Sequence, residues 1–128
     1  IENIKKKKYD LIITNFANPD MVGHTGNLEA TIKAIEAVDQ CIGKIFKQCK
    51  KNGYSLIITS DHGNAENMFD EKKNIVCTTH SLNLVPFTIC EKINYSIKTG
   101  KLADIAPTVL KLLGLEIPNV MKGKPLIK

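Results

Sequence analysis

The chain has 128 residues, 43% of them hydrophobic, and a formal net charge of +5; that is one domain or a piece of one with a real core, and no apolar run approaches the roughly 20 residues needed to cross a bilayer. All 18 basic residues are lysine, so a site that handles an anion must use lysine, backbone or metal, or draw the bidentate clamp of arginine from outside the chain. The lysines carry no aromatic interleaving and no nucleic-acid module, and the start at Ile1 without an apolar stretch reads as an excised or processed segment with no signal peptide.

Lys5 to Lys8 read as a solvated lead-in to a strand. Tyr9 to Asn15 (YDLIITN) is a short run of branched apolar residues, the pattern of a buried strand, and Asn18-Pro19-Asp20 signals a turn after it. Gly23 and Gly26 allow a tight, irregular backbone around His24. The spacing predicts a helix over Asn27 to Asn52, capped by Asn27 or Thr25. Its buried face is Leu28, Ile32, Ile35, Val38, Ile42, Ile45 and Cys49. Gly43 costs that helix about 1 kcal/mol against alanine, a cost explained by close packing, and Gly53 ends it in the left-handed conformation.

Tyr54 to Ser60 (YSLIITS) is a second buried strand. Strand, helix and strand at this spacing form a βαβ unit with parallel strands. In open α/β sheets the ligand crevice lies beyond the carboxyl ends of the strands, and both strands end where a histidine motif begins. Met68 to Thr79 reads as a loop, and Leu84 to Cys90 (LVPFTIC) as a third strand with Pro86 at its start. Asp104 is placed to cap a last helix running to Leu113, with Pro107 in the first turn and Gly114 ending it; the remainder is irregular.

The three histidines, His24, His62 and His80, all sit in motifs rich in acidic and small polar residues: NPDMVGHTG, SDHGNAEN and TTHS. Imidazole nitrogen and carboxylate oxygen are a ligand set for divalent metals. The order of elements brings Asp20, His24, Asp61 and His62 to one sheet edge, with His80 arriving from a separate loop, and a centre of two metals would suit displacement at phosphorus. Asp20 and His24, four apart, would share one face if the chain makes a helical turn there, and in a glycine-rich loop that spacing still lets both converge. Asp61 and His62 share a site only if the backbone turns, which Gly63 allows. Metal-bound histidines need an outer partner to fix the tautomer, and Thr25, Asn64, Glu66, Thr79 and Ser81 are candidates. Ser60 is a weak candidate nucleophile, because it ends a buried strand. The cysteines Cys41, Cys49, Cys77 and Cys90 form no Cys-x-x-Cys pair and point to a reducing compartment; Cys77, three before His80, reads as a buried, inert thiol rather than a zinc ligand.

These motifs, in the forms NPDMVGHTGNLEATIKAIEAVDQCI, LIITSDHGNAENM and THSLNLVPF, together with the tail GKLADIAPTVLKLLGLEIPNVMKGKPL, closely resemble the C-terminal part of the cofactor-independent (2,3-bisphosphoglycerate-independent) phosphoglycerate mutases. More distant likeness is to alkaline phosphatases, sulfatases and phosphopentomutases. The resemblance implies an α/β fold, part of an alkaline-phosphatase-like three-layer α/β/α domain with a mainly parallel sheet. Residues 1–128 would be a single C-terminal metal-binding segment of it. It implies Asp20, His24 and His80 as ligands of a first metal, and Asp61 and His62 as ligands of a second. Two divalent ions are implied, manganese first, with magnesium, cobalt or zinc as alternatives and no 2,3-bisphosphoglycerate. The implied reaction interconverts 3-phosphoglycerate and 2-phosphoglycerate, in glycolysis and gluconeogenesis, through a phosphoserine. The nucleophilic serine, the remaining ligands of the second metal and the substrate-gripping arginines would come from the rest of the same polypeptide, so the segment alone is expected to be inactive. A cytoplasmic monomer with a small-molecule substrate, and no nucleic-acid or membrane partner, is the corresponding expectation. Ser81 stands where many relatives have threonine; the hydroxyl is kept. Two other readings compete: another enzyme of the alkaline phosphatase superfamily (a phosphatase or phosphopentomutase), and a non-catalytic metal-binding module.

Overall fold

The computed structural model describes residues 1–90 and 95–128, in two compact units, Ile1–Cys90 and Glu91–Lys128. In the first unit α1 (Glu2–Lys6) buries Ile4 and turns Lys5 back onto Glu2 (2.9 Å). The lysine run is therefore split, with Lys5 and Lys6 ending a short helix, Lys7 capping it in the left-handed conformation and Lys8 following it, and no strand comes directly after among the described residues. Residues 9–15 form no strand among the described residues: Leu11 and Ile13 are exposed, Ile13 to 83%. A strand exists through bonds to a neighbouring strand, and the described residues provide none here; Tyr54 Oη donates to the Tyr9 carbonyl (2.5 Å).

The Asn18-Pro19-Asp20 segment opens a helix, α2 (Asn18–Gly23), in place of the expected turn. Proline is harmless there, because the first helical N–H groups have no intrahelical partner. After it runs α3 (Leu28–Asn52), whose N-cap Asn27 accepts the Ala30 N–H (3.0 Å). Such a cap contributes about 1 kcal/mol. Gly53, at φ 81°, closes the helix through its N–H to the Cys49 carbonyl. The covered stripe is Thr31, Ala34, Val38, Ile42, Ile45 and Cys49, while Leu28, Ile32 and Ile35, expected on that face, are exposed along its flank beside Phe46. At 3.6 residues per turn the two stripes lie about 90° apart, so the helix is apolar over a wider arc than α1 and α2 cover.

Gly43 has nothing within 4 Å of an added Cβ. Close packing does not explain it, contrary to the sequence reading. Gly43→Ala is expected to raise stability by about 0.5–1 kcal/mol, read as a higher midpoint in thermal or urea denaturation.

β1 (Leu56–Thr59) pairs antiparallel with β4 (Phe87–Cys90), with Ile57 opposite Ile89. A small hairpin, β2 (Phe69–Asp70) with β3 (Ile75–Val76), stands where a loop was expected; the Asp70 carboxylate accepts the Lys72 and Lys73 N–H groups in its turn. Both strand pairs among the described residues are antiparallel. The α/β character expected from the alternation of elements holds, but the βαβ unit with parallel pairing is corrected: its first strand has no partner here, and β1 bonds to the later strand.

The second unit is built around Thr108, fully buried on α4 (Ile105–Leu112), which follows a single 3-10 turn, Leu102–Asp104. Thr108 Oγ1 donates to the Asp104 carbonyl (2.7 Å) and accepts the Leu126 N–H (2.9 Å). The Asp104 carboxylate does not cap α4. It accepts the N–H groups of Lys124 (2.8 Å) and Lys101 (2.9 Å), which hold its carboxyl below the usual carboxylate range. The C-terminal tail is thereby pinned to the start of α4, and Ile97 and Ile127 form an antiparallel bridge in what was expected to be irregular chain. Among the described residues no helix is long and apolar enough to cross a membrane.

Candidate metal centre

Three separate segments of the first unit bring their side chains to one point. The helical turn of α2 puts Asp20 and His24 on one face, with His24 Nε2 3.3 Å from Asp20 Oδ1. His80, from the loop after β3, places its Nε2 3.2 Å from the same oxygen and 3.1 Å from His24 Nε2. His62, from the loop after β1, stacks on His80 with ring centroids 3.7 Å apart, and its Nε2 lies 4.0 Å from Asp20 Oδ1. Asp61 is exposed beside it, with Oδ1 3.7 Å from His62 Nε2.

The tautomers follow from the partners. His24 Nδ1 is 2.7 Å from the Thr78 carbonyl, which can only accept. In the neutral ring Nδ1 therefore holds the proton and Nε2 turns a bare lone pair inward. His62 Nδ1 meets the Gly63 carbonyl at 3.3 Å with the same consequence. The Asp20 carboxyl lies below the usual carboxylate range, chiefly because Asn64 Nδ2 donates to Oδ1 (2.7 Å), and any of the three imidazoles adds to this when it carries a second proton. With the ring neutral, Asp20 Oδ1 and His24 Nε2 are thus acceptors facing one another at 3.3 Å, an arrangement that a cation between them, or a second proton on the ring, relieves.

The spacing fits one. Donors about 2.1 Å from an ion stand about 3.0 Å apart at octahedral angles and about 3.4 Å at tetrahedral ones. The Asp20–His24–His80 triangle, with sides of 3.1, 3.2 and 3.3 Å, lies within that range. Asp20, His62 and His80 also offer donor atoms within 4.8 Å of one another, but the 4.0 Å from His62 to Asp20 is too long for two neighbours on one ion. His62 and Asp61 therefore stand to the side of this triangle, along its Asp20 edge.

The loops are held by a polar network. Ser81 N–H donates to the Gly63 carbonyl (2.9 Å), tying the His80 loop to the His62 loop. Glu66 Oε2 accepts the Asn64 N–H (2.7 Å), and Oε1 accepts Ser81 Oγ–H and Asn83 Nδ2–H (2.9 Å). Gly63 is buried beneath this contact: a Cβ there would collide with Ser81 Oγ and Glu66 Oε1. The chain bends at Asp61 and His62, just before Gly63, and the missing side chain of the glycine leaves room for the Ser81 hydroxyl and the Glu66 carboxylate.

Of the outer partners expected, Asn64 holds Asp20 directly, while Glu66 and Ser81 hold the loops. Thr25 turns its hydroxyl back to the Val22 carbonyl. The Thr78 carbonyl and Asn83 were not anticipated. A backbone carbonyl leaves no trace in residue identity, and Asn83 had as its one cue the two-residue spacing from Ser81. Ser60 donates to the His62 carbonyl (2.7 Å) and serves the loop. Cys77 is half-buried, and its N–H bonds the Met68 carbonyl.

A family model described as the metalloenzyme superfamily matches residues 1–117. A 2,3-bisphosphoglycerate-independent phosphoglycerate mutase of Ehrlichia canis (strain Jake) is 54% identical over 132 aligned positions, covering 100% of this chain and 26% of that protein. One from Gracilaria tenuistipitata var. liui is 55% identical, again covering 100% and 26%. The phosphoglycerate mutase of Leishmania mexicana, solved at low cobalt concentration, superposes with a TM-score of 0.87 at 34% identity over 99% of this chain and 26% of that one. The chain spans about a quarter of the length of these relatives. A match over residues 1–117, a close structural likeness to a phosphoglycerate mutase, and a cluster of acceptor atoms at metal-ligand spacing meet in one conclusion: the chain belongs to the metalloenzyme superfamily.

Proposed function

We propose that this chain is the C-terminal metal-binding segment of a cofactor-independent phosphoglycerate mutase, with Asp20, His24 and His80 holding one divalent ion and Asp61 and His62 contributing to a second. The observation that carries the reading is the convergence of Asp20 Oδ1 and His24 Nε2, with His80 Nε2, at donor spacings of 3.1–3.3 Å. The similarity to named mutases supports the identity of the parent activity, interconversion of 3-phosphoglycerate and 2-phosphoglycerate without 2,3-bisphosphoglycerate. Manganese is the ion proposed, on the likeness to the mutases rather than on the donors, since imidazole and carboxylate together also accept cobalt and zinc, as a rule more tightly, and magnesium more weakly.

When bound, two such ions neutralise the charge of a transferring phosphoryl group and clamp its oxygens. The chain's own residues do the rest of what is proposed here. His24 and His62 keep their protons on Nδ1 against carbonyls, which leaves Nε2 bare for ligation, and Asp20 stays ionised through its Asn64 bond. Asp61 and His62 make two donors only, so the second site draws further ligands, the serine nucleophile and arginines from elsewhere in the polypeptide. The uncovered apolar flank of α3 and the exposed side chains of residues 9–13 suit a segment set in a larger phosphatase-like domain. A cytoplasmic setting and a monomeric parent complete the proposal.

The test is manganese stoichiometry on this chain at neutral pH, by calorimetry and by loss of the free-ion electron paramagnetic resonance signal. One ion per chain is expected, lost in His80→Ala. No ion bound by the folded wild type, or unchanged binding in His80→Ala, would overturn the three-ligand assignment.

A further inference from the structure

We infer that Glu66 is a positioning residue for the metal centre, a carboxylate clamp that sets the register between the loops bearing His62 and His80 and, through Asn64, the placement of Asp20. The inference rests on the metal-site reading above and adds to it a residue that touches no ligand atom.

Three facts lead there. Glu66 lies four residues after His62, and its carboxylate accepts from two loops at once: the Asn64 N–H (2.7 Å) on its own, and the Ser81 hydroxyl and Asn83 amide (2.9 Å) on the other. Ser81 follows His80 directly, so the bond fixes where that imidazole leaves the chain. Asn64, whose backbone Glu66 holds, sends its side chain to Asp20 Oδ1 at 2.7 Å and the Asp20 carbonyl at 3.4 Å. One carboxylate is thus linked by a single hydrogen-bonded step to the His80 loop and by two steps to Asp20. The floor beneath it is closed: Gly63 is buried, with no room for a Cβ between Glu66 and Ser81.

The clamp requires an acceptor on both oxygens. All its partners are donors, and a carboxylate is acceptor-only. In Glu66→Gln the amide replaces one oxygen by an NH2 group. Either orientation then sets a donor against a donor, at the Asn64 N–H or at the Asn83 amide, although size and shape hardly change. The ligand triangle must loosen as the loops part. Outer partners of metal ligands are typically worth about 10- to 100-fold in metal affinity.

The experiment measures the dissociation constant of Mn2+ for the purified chain by the resonance of the free ion. Wild type, Glu66→Gln, Ser81→Ala and Ser81→Thr are compared, with circular dichroism and the metal-free melting midpoint recorded for each. Expected are a weakening of about 10-fold in Glu66→Gln, the low end of the range for direct outer partners because Glu66 acts one step further out, a smaller weakening in Ser81→Ala, recovery in Ser81→Thr, and a changed bound-ion spectrum in the weakened variants. Glu66→Gln or Ser81→Ala folded and binding like the wild type would overturn the clamp while leaving the metal site standing. A variant whose midpoint falls but whose affinity is unchanged would make Glu66 a stabilising residue only, and overturn it too. If Glu66→Gln does not fold, the Ser81 pair decides alone. Failure of the wild type to bind would remove the metal-site reading, and the clamp with it.

Discussion

Asp20→Asn is expected to weaken Mn2+ binding more than any other single change in the chain, by more than about 100-fold and so beyond the range of outer partners. Asp20 Oδ1 is the common vertex of the centre, 3.3 Å from His24 Nε2, 3.2 Å from His80 Nε2 and 4.0 Å from His62 Nε2. It is the anionic donor within the triangle; the other carboxylate nearby, Asp61, is exposed and faces His62. Its carboxyl is held below the usual range chiefly by Asn64, and further by any imidazole that carries a second proton, so at neutral pH the oxygen is fully charged. The amide of the variant is nearly the same size and keeps an oxygen to accept from Asn64 Nδ2. The fold should therefore survive while the charge is lost, which makes the substitution a measure of electrostatics rather than of packing. Calorimetric titration with Mn2+, beside a metal-free melting curve, checks both halves. Wild-type affinity in a folded Asp20→Asn chain would remove Asp20 from the ligands.

Gly123→Ala is expected to destabilise the second unit by about 1–3 kcal/mol or more, the range for forcing atoms into a filled space. The added Cβ would collide with the Ala103 carbonyl oxygen and lie 2.6 Å from its carbon and 3.1 Å from Asp104 Cα. All of these are backbone atoms, which cannot swing aside as a flexible side chain can. The displaced chain carries the Lys124 N–H and, two residues on, the Leu126 N–H, whose bonds to Asp104 Oδ1 (2.8 Å) and Thr108 Oγ1 (2.9 Å) pin the tail. Chemical denaturation should show a lower midpoint, and the Lys124 and Leu126 amides should exchange faster with solvent. The same replacement at Gly43 has the opposite expected sign, because open space surrounds it and only helix propensity is at stake. Equal effects at the two positions would contradict both accounts.

Much of the first unit could be read locally. The long helix, its Asn27 cap and its Gly53 stop follow from three- and four-residue spacing and from end chemistry, which neighbouring residues determine. The strands at 56–59 and 87–90 follow from branched apolar runs, with Pro86 just before the second. Asp20 and His24 share a face because they are four apart on a helical turn, whatever surrounds them.

What pairs with what could not be read this way. YDLIITN has every local mark of a strand, but strand identity is completed by a partner, and here it stays unpaired while β1 bonds antiparallel to β4. The stripe of α3 that is covered, Thr31 to Cys49, keeps Val38, Ile42, Ile45 and Cys49 of the expected face but leaves out Leu28, Ile32 and Ile35, since the elements packed against the helix choose the face. Amino-acid identity alone determined the metal-type donor set, its five candidate residues and the helical framework. Only the tertiary structure decided that Asp20, His24 and His80 close to within 3.3 Å, that His62 stands apart at 4.0 Å, and that the Thr78 carbonyl and Glu66 hold the arrangement. The relations between separate segments join residues 15 to 60 positions apart through space, and a hydrogen bond to a backbone carbonyl depends on where the chain passes and not on which residue passes there.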